Sequence, residues 1–411
     1  MVTLEMTRGF RLICGLALAL TAMIALQLLP LPPGLWTGLP GRALLADGMR
    51  AAGLEPGWQP LSMVPWLTWN ALFSLLIPLA ALVLMLRCTP SERLSMLPVL
   101  IFAGVACALV GFIQAAAPGS LHFYAITNEE FPVGLFANRN HQAVWLCCLP
   151  LMLAGWSAHA GAGKDSGKST SKGGRGPVLQ LGALVLVIAL IPLVLVTGSR
   201  AGLILYGVSL LLAGAIRFGA ARGPISTMFD RRFVILVGGM IIVAVLVALT
   251  MMSRDVAAGR LVSGGLDDEL RAVVWPRSLD LAWAYFPFGT GFGTFPEVFK
   301  IGELQNTLAT SYVNHAHSDW VEFLMDGGIV ALVILMTGLV AWGNVLVRLV
   351  AQRRPHSQWT TTGLTACAMT FVLGLASLAD YPMRVPSLML VGVVAIVWMA
   401  QAMSDKSAKR G

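Results

Sequence analysis

The chain has 411 residues, 57% of them hydrophobic and only 12% charged, with a mean hydropathy of +0.77. That balance excludes an ordinary soluble enzyme, and the scatter of 43 glycines and 22 prolines through apolar stretches excludes a disordered chain. The formal charge of +8 carries information only through its distribution along the chain.

A bilayer span takes roughly 20 apolar helical residues, because every backbone N–H and C=O must find its partner within the segment. Ten runs meet or approach that length: Leu12–Leu31, Trp66–Leu86, Leu94–Ala117, Ala143–Ala160, Val178–Val196, Ala201–Ile216, Phe233–Met252, Ile329–Val347, Thr361–Leu378 and Val385–Met403. The sixth is the shortest. The first ends in Pro30, Pro32 and Pro33 without a small-residue cleavage site, so it is expected to stay as an anchor. Six cysteines lie within or beside these runs without zinc or disulfide spacing and read as small buried hydrophobes.

Ten spans place both termini on one side, which the positive-inside rule tests as a whole. The termini and the connections around Arg87, Lys164, Arg222 and Arg353 hold 18 of the 28 Lys and Arg but only 5 of the 20 Asp and Glu. That side is expected to be cytoplasmic. The opposite side carries four of the six histidines and three larger loops, 32–65, 118–142 and 253–318, of which the last is the longest soluble segment. The chain therefore reads as a single polytopic domain, residues 1–411, with its chemistry expected on that outer face.

The outer connections carry the candidate residues. Residues 134–143, GLFANRNHQA, place Arg139 and His141 where they either bind a phosphate or sugar or cap the fourth span. The cytoplasmic linker 161–177 contains a relaxed phosphate-loop pattern at Ala162, Gly167, Lys168 and Ser169. It lacks the strand-to-helix setting that such a loop needs, so it is read as a Gly/Ser/Lys linker. In TGSRAG, 197–202, the connection is so short that Arg200 must sit at the membrane face, either snorkelling to headgroups or gripping an anion with its planar fork. Arg271 lies in DDELRAVVWP, followed by PFGTGFGTF at 287–295. Without a preceding strand its glycines read as a mobile turn, whose N–H groups are still able to approach a phosphate.

The richest stretch is NHAHSDWVEFLMDGG, 314–328, which carries three readings. The first is a helix start capped by Ser318 or Asp319 with Glu322 nearby. The second is a His315-x-His317-x-Asp319 metal set. The third is acid–base chemistry, in which a histidine takes a proton from an attacking hydroxyl.

Taken together and in this order, GLFANRNHQA, TGSRAGL, PFGTGFGTF and NHAHSDWVEFLMDGG resemble the bacterial O-antigen ligase/polymerase superfamily. The family's signature of His, Asn/Ser/Gln, nine residues, Gly and, after two more, a small or Tyr position fits His317, Ser318 and Gly328, with Ala331 in the last place. Its Arg-x-x-x-Leu motif fits Arg200, with Ile204 in the leucine position.

The resemblance implies an all-α, GT-C-like membrane glycosyltransferase of about ten spans in the bacterial inner membrane, with a periplasmic cleft roofed by 253–318. The donor it implies is an undecaprenyl-diphosphate-linked glycan, and the acceptor is a hydroxyl of a lipid A core sugar or of a growing polysaccharide. No cofactor, metal or nucleic-acid partner is expected. His317 is the expected catalytic group and His315 the second candidate. Arg200, Arg271 and Arg139 are expected on the diphosphate, where guanidinium donors stabilise leaving-group charge. Glu322 and Asp319 are expected to orient His317, with His141 in support. Two alternatives stand beside this reading: a protein hydroxyl as acceptor within the same superfamily, and a lipid-linked glycan transporter. The nearly charge-free spans and the basic groups gathered at one face fit a translocation path poorly.

Overall fold

A computed structural model describes residues 7–162, 175–219, 266–303, 312–351 and 357–405 of the protein. The seventh expected span, Phe233–Met252, and residues 163–174 of the linker lie outside them. Helices dominate: α1 (Arg8–Leu26), α2 (Pro33–Thr37), α3 (Ala43–Ala51), α4 (Pro65–Ser74), α5 (Leu76–Arg87), α6 (Pro90–Ala116), α7 (Arg139–Ala162), α8 (Arg175–Val196), α9 (Arg200–Gly219), α10 (Leu266–Ala284), α11 (Phe295–Ile301), α12 (Asp319–Val350), α13 (Gln358–Ala379) and α14 (Pro386–Ser404). A single 3-10 turn, Pro382–Arg384, joins the last two. The only sheet among the described residues is a two-residue antiparallel pair, Pro30–Leu31 against Gln59–Pro60.

Eight helices of the described residues are long and apolar enough to cross a bilayer, with α4 and α5 counting together as one. The expected fourth run lies in α7. The protein is an all-α integral membrane protein. Its bundle is built around α7, α13 and α14, whose side chains, among them Leu149, Met369 and Trp398, form one continuous core. Outward-facing apolar residues such as Leu18, Phe102 and Leu211 are 70–78% exposed, as expected where lipid replaces water as the solvent. Local sequence sets several element ends. Thr89 and Glu92 close a capping box on α6, and buried Arg93 donates to the Met85 and Leu86 carbonyls that end α5.

Two features differ from the sequence expectation and position the site. The eighth span starts ten residues early, at Asp319, because Gly328 (φ 55°, ψ −137°) kinks α12 without ending it. A side chain there would place its Cβ 2.0 Å from the Pro287 carbonyl oxygen, to which the Ile329 N–H donates. The second feature is the long outer loop, which is not loose chain where it is described: α10 and α11 form a small core with Ala316 and Met325, built on Val274, Leu281, Tyr285, Phe295 and Phe299.

Candidate active site

Four connections converge at one end of the bundle. They are the start of α7, the turn before α9, the segment 312–318 leading into α12, and the stretch 380–384 between α13 and α14. Three of them, all but the turn before α9, meet at the Tyr381 ring. His315, His141 and His317 lie with ring centroids 4.2, 5.1 and 5.5 Å from it. Hydrogen bonds to the Asn138 and Asn314 side chains hold the phenol, and burial, helped by the Asp380 charge, pushes its pKa up, so it stays neutral.

Each histidine of the 314–328 stretch has its own carboxylate. His315 Nδ1 lies 3.0 Å from Glu322 Oε1, while Glu322 Oε2 accepts the Ala316 N–H at 3.0 Å. His317 Nδ1 lies 3.4 Å from Asp380 Oδ1, and the other oxygen of Asp380 is 3.9 Å from His141 Nε2. This corrects the expectation that Glu322 and Asp319 orient His317. The helical geometry explains it: Glu322 is one turn into α12 and points back over the segment that precedes the helix, which brings it to His315. Asp319 turns to the opposite partner, accepting from the Ser377 hydroxyl and the Met383 N–H, both at 2.9 Å, with Arg384 Nε 3.5 Å away. The alternating His315, His317 and Asp319 thus face three different partners and do not converge as a ligand set.

His317 adopts φ 49°, a left-handed conformation uncommon for any residue but glycine. Such geometry persists where surrounding contacts impose it, and here they do. The His317 carbonyl accepts from Trp275 Nε1 at 3.3 Å, and the next residue, Ser318, caps α12 and donates to the Ser377 carbonyl. The expected helix start and the imidazole–carboxylate contacts therefore coexist in the same few residues.

The arginines divide. Arg139 opens α7, where its N–H donates to Asn128 Oδ1, and its guanidinium lies 4.4 Å over the Phe131 ring. Arg200 opens α9 two residues after Gly198, and a Cβ on Gly198 would stand 3.5 Å from Arg139 Nη1, so the TGSR turn and Arg139 are neighbours. Gly202 permits the close approach of α9 to α7, since a Cβ there would meet that of Ala143 at 2.4 Å. Arg271 lies in α10, and its side chain is outside the described residues.

Four residues of the site were not singled out in the sequence: Asp326, Asp380, Tyr381 and Arg384. Arg384 Nη2 lies 3.2 Å from Glu322 Oε1 and 3.3 Å from Asp326 Oδ2. Burial opposes its charge, but Glu322, Asp326 and Asp319 together outweigh that cost and hold its pKa above the ordinary value for arginine. For Asp380, Tyr381 and Arg384 the signal was available. The short connection 379–384 between two apolar runs carries an aspartate, a tyrosine and an arginine at the membrane face, the same logic that marked Arg200.

The glycine loop 287–295 is neither a mobile turn nor an open phosphate cradle. The N–H groups of Thr290, Gly291, Phe292 and Gly293 are spent on the Met325 carbonyl, the Asp326 carbonyl, Gln27 Oε1 and Asp326 Oδ2. Gly289 allows the loop to press against the α12 kink, since a Cβ there would stand 2.6 Å from the Asp326 carbonyl oxygen. Beside it, an apolar cleft of about 730 Å³ runs between α1, α4, α12, α13 and α14, and its polar end is formed by His315, Asp319 and Arg384.

A search of curated proteins finds no match to the chain. His315, His317, Arg200, Arg271 and the kink glycine all fall within residues 184–336, the stretch from α8 into the first half of α12 that matches the family model described as O-antigen ligase.

Proposed function

We propose that the protein is an O-antigen ligase/polymerase-type glycosyltransferase that moves a saccharide from an undecaprenyl-diphosphate carrier to an acceptor hydroxyl at the periplasmic face of the inner membrane. The acceptor is a lipid A core sugar or the end of a growing polysaccharide. The observation that carries this reading is the pairing of His317 with Asp380 and of His315 with Glu322 around one neutral tyrosine, with His315 at the polar end of an apolar cleft. An imidazole held through Nδ1 by a carboxylate is oriented to take a proton at Nε2. An apolar cleft ending in polar groups suits a substrate with a hydrocarbon chain and a polar head.

In the proposed reaction the acceptor oxygen attacks the anomeric carbon. The bond from that carbon to the phosphate oxygen breaks, the electron pair leaves with the lipid diphosphate, and the hydroxyl proton passes to His317. Diphosphate leaves readily, so the protein's task is to orient the hydroxyl and to stabilise charge on the leaving group. Arg200, Arg271 and Arg139 take the second part in this reading. The turn that leads into α9 and Arg200 lies beside Arg139 at the start of α7, two residues before the histidine that Asp380 also faces.

The test is glycan transfer by purified protein in proteoliposomes supplied with undecaprenyl-diphosphate saccharide and acceptor, with EDTA throughout. Wild type is expected to release undecaprenyl diphosphate and to transfer or lengthen glycan. His317→Ala and Arg200→Ala are expected to lose at least about two orders of magnitude while remaining folded. Movement of donor across the bilayer without modification of any acceptor would replace the enzyme by a transporter.

A further inference from the structure

Arg384 lies outside the matched O-antigen ligase stretch, and the proposed chemistry makes no use of it. Its guanidinium is nonetheless the hub of a charged cluster at the polar end of the cleft. It reaches Glu322 Oε1 and Asp326 Oδ2 through Nη2, at 3.2 and 3.3 Å, and Asp319 Oδ1 through Nε at 3.5 Å. The outer two carboxylates are anchored elsewhere as well. Asp319 accepts from Ser377 and Met383, and Asp326 accepts from the Gly293 N–H at 3.2 Å. Arg384 is therefore fixed from both sides, and Glu322 is the member through which the cluster reaches a histidine.

Glu322 is fully buried, and both its oxygens are committed. Oε2 accepts the Ala316 N–H, while Oε1 lies between Arg384 Nη2 and His315 Nδ1. A carboxylate held this way accepts hydrogen bonds and donates none, so the neutral ring it faces carries its proton on Nδ1. His315 lines the cleft, and in that tautomer Nε2 is an acceptor for a hydroxyl; in the other tautomer the same position would be a donor.

We infer that Arg384 is a positioning residue: by pinning Glu322 it fixes the tautomer of His315, so that His315 presents a hydrogen-bond acceptor to a hydroxyl-bearing, saccharide-type group at the polar end of the cleft. The other charged or titratable groups around His315 are Asp319 and Asp326 on α12, Asp380 and Tyr381 beyond α13, His141 on α7 and His317 in its own segment. Among the described residues, Glu322 and none of these is within hydrogen-bond distance of Nδ1. The saccharide class rests on the transferase reading, but the tautomer does not.

The experiment is magic-angle-spinning NMR of ¹⁵N-histidine-labelled, full-length protein in proteoliposomes at about pH 8.5, where an ordinary imidazole is neutral. His315 is assigned through the signal lost in His315→Gln, and transfer kinetics are measured in parallel. Wild type is expected to show His315 with Nδ1 protonated and Nε2 bare. Arg384→Gln is expected to show both tautomers and a fall in kcat of about tenfold or more with KM little changed. Arg384→Lys, which keeps the charge but loses the fork, is expected to recover the single tautomer and most of kcat. A folded Arg384→Gln protein that retains the Nδ1–H tautomer alone overturns the inference. So does a loss of kcat in Arg384→Lys as large as in Arg384→Gln, since that marks a purely structural role. If Arg384→Gln does not fold, the charge-balanced pair Arg384→Gln with Asp326→Asn decides by the same tautomer readout. Wild-type protein that transfers no glycan yet shows the expected tautomers leaves the positioning role standing and removes the transferase reading instead.

Discussion

At the scale of single residues, the site is a set of imidazole–carboxylate contacts, one local in the chain and one between distant segments. Asp380 is 63 positions from His317, yet its carboxylate lies 3.4 Å from Nδ1 and also faces His141. Removing its charge while keeping its shape leaves the imidazole in place without the group that selects its proton position. Asp380→Asn is therefore expected to lower transfer by about tenfold to several hundredfold, with the melting temperature of the detergent-solubilised protein changed by only a few degrees. A variant that transfers glycan at the wild-type rate would show that Asp380 does not orient the reacting histidine. The three histidines, Asp319 and Glu322 were all legible in the sequence as outer-face polar residues. Which carboxylate serves which histidine was not, because partner choice depends on how two loops 63 residues apart pack.

At the scale of elements, the kink in α12 organises the site. Residues 319–326 hang before it and carry all three carboxylates that meet Arg384, while the apolar remainder of α12 continues as a span. The kink depends on Gly328, whose φ of 55° and ψ of −137° no side chain adopts without strain, and whose missing Cβ makes room for the Pro287 carbonyl. Gly328→Ala is expected to destabilise the protein by more than about 3 kcal/mol, since strain and a backbone clash add. The measurement is the yield and melting temperature of monodisperse protein, and an alanine variant with wild-type stability would refute this account of the kink. The glycine of the signature motif was readable as a spacing. Its physical reason was not, because the Pro287 carbonyl that it accommodates belongs to a separate loop.

At the scale of the whole molecule, the charge asymmetry of the connections argues for an even number of spans with both termini in the cytoplasm. The 163–174 linker should then face the cytoplasm and the 118–138 loop the periplasm. Single cysteines placed at His122 and Lys168 in a cysteine-free background are expected to react oppositely with a membrane-impermeant maleimide: the first in intact spheroplasts, the second only after lysis. Labelling of both from the same side would break the ten-span arrangement and with it the proposed periplasmic position of the site.

Composition and hydropathy alone determined the membrane class and the apolar helices of the bundle, because backbone satisfaction in lipid forces long apolar segments into helices whatever their neighbours. Charge counting and short motifs likewise found the histidines of the site with Asp319 and Glu322, but not Asp380, Tyr381 or Arg384, since polar groups at a membrane face are costly and stand out only where a motif draws attention to them. Only the tertiary structure decided that Glu322 serves His315, that Asp380 serves His317, that Arg384 gathers three acids, and that the glycine loop spends its N–H groups on α12 and Gln27. Apart from the Glu322–His315 pair, which is seven residues apart, these are contacts between segments distant in the chain. Their energies turn on distances of a few tenths of an ångström set by helix packing, and no local pattern of residues encodes those distances.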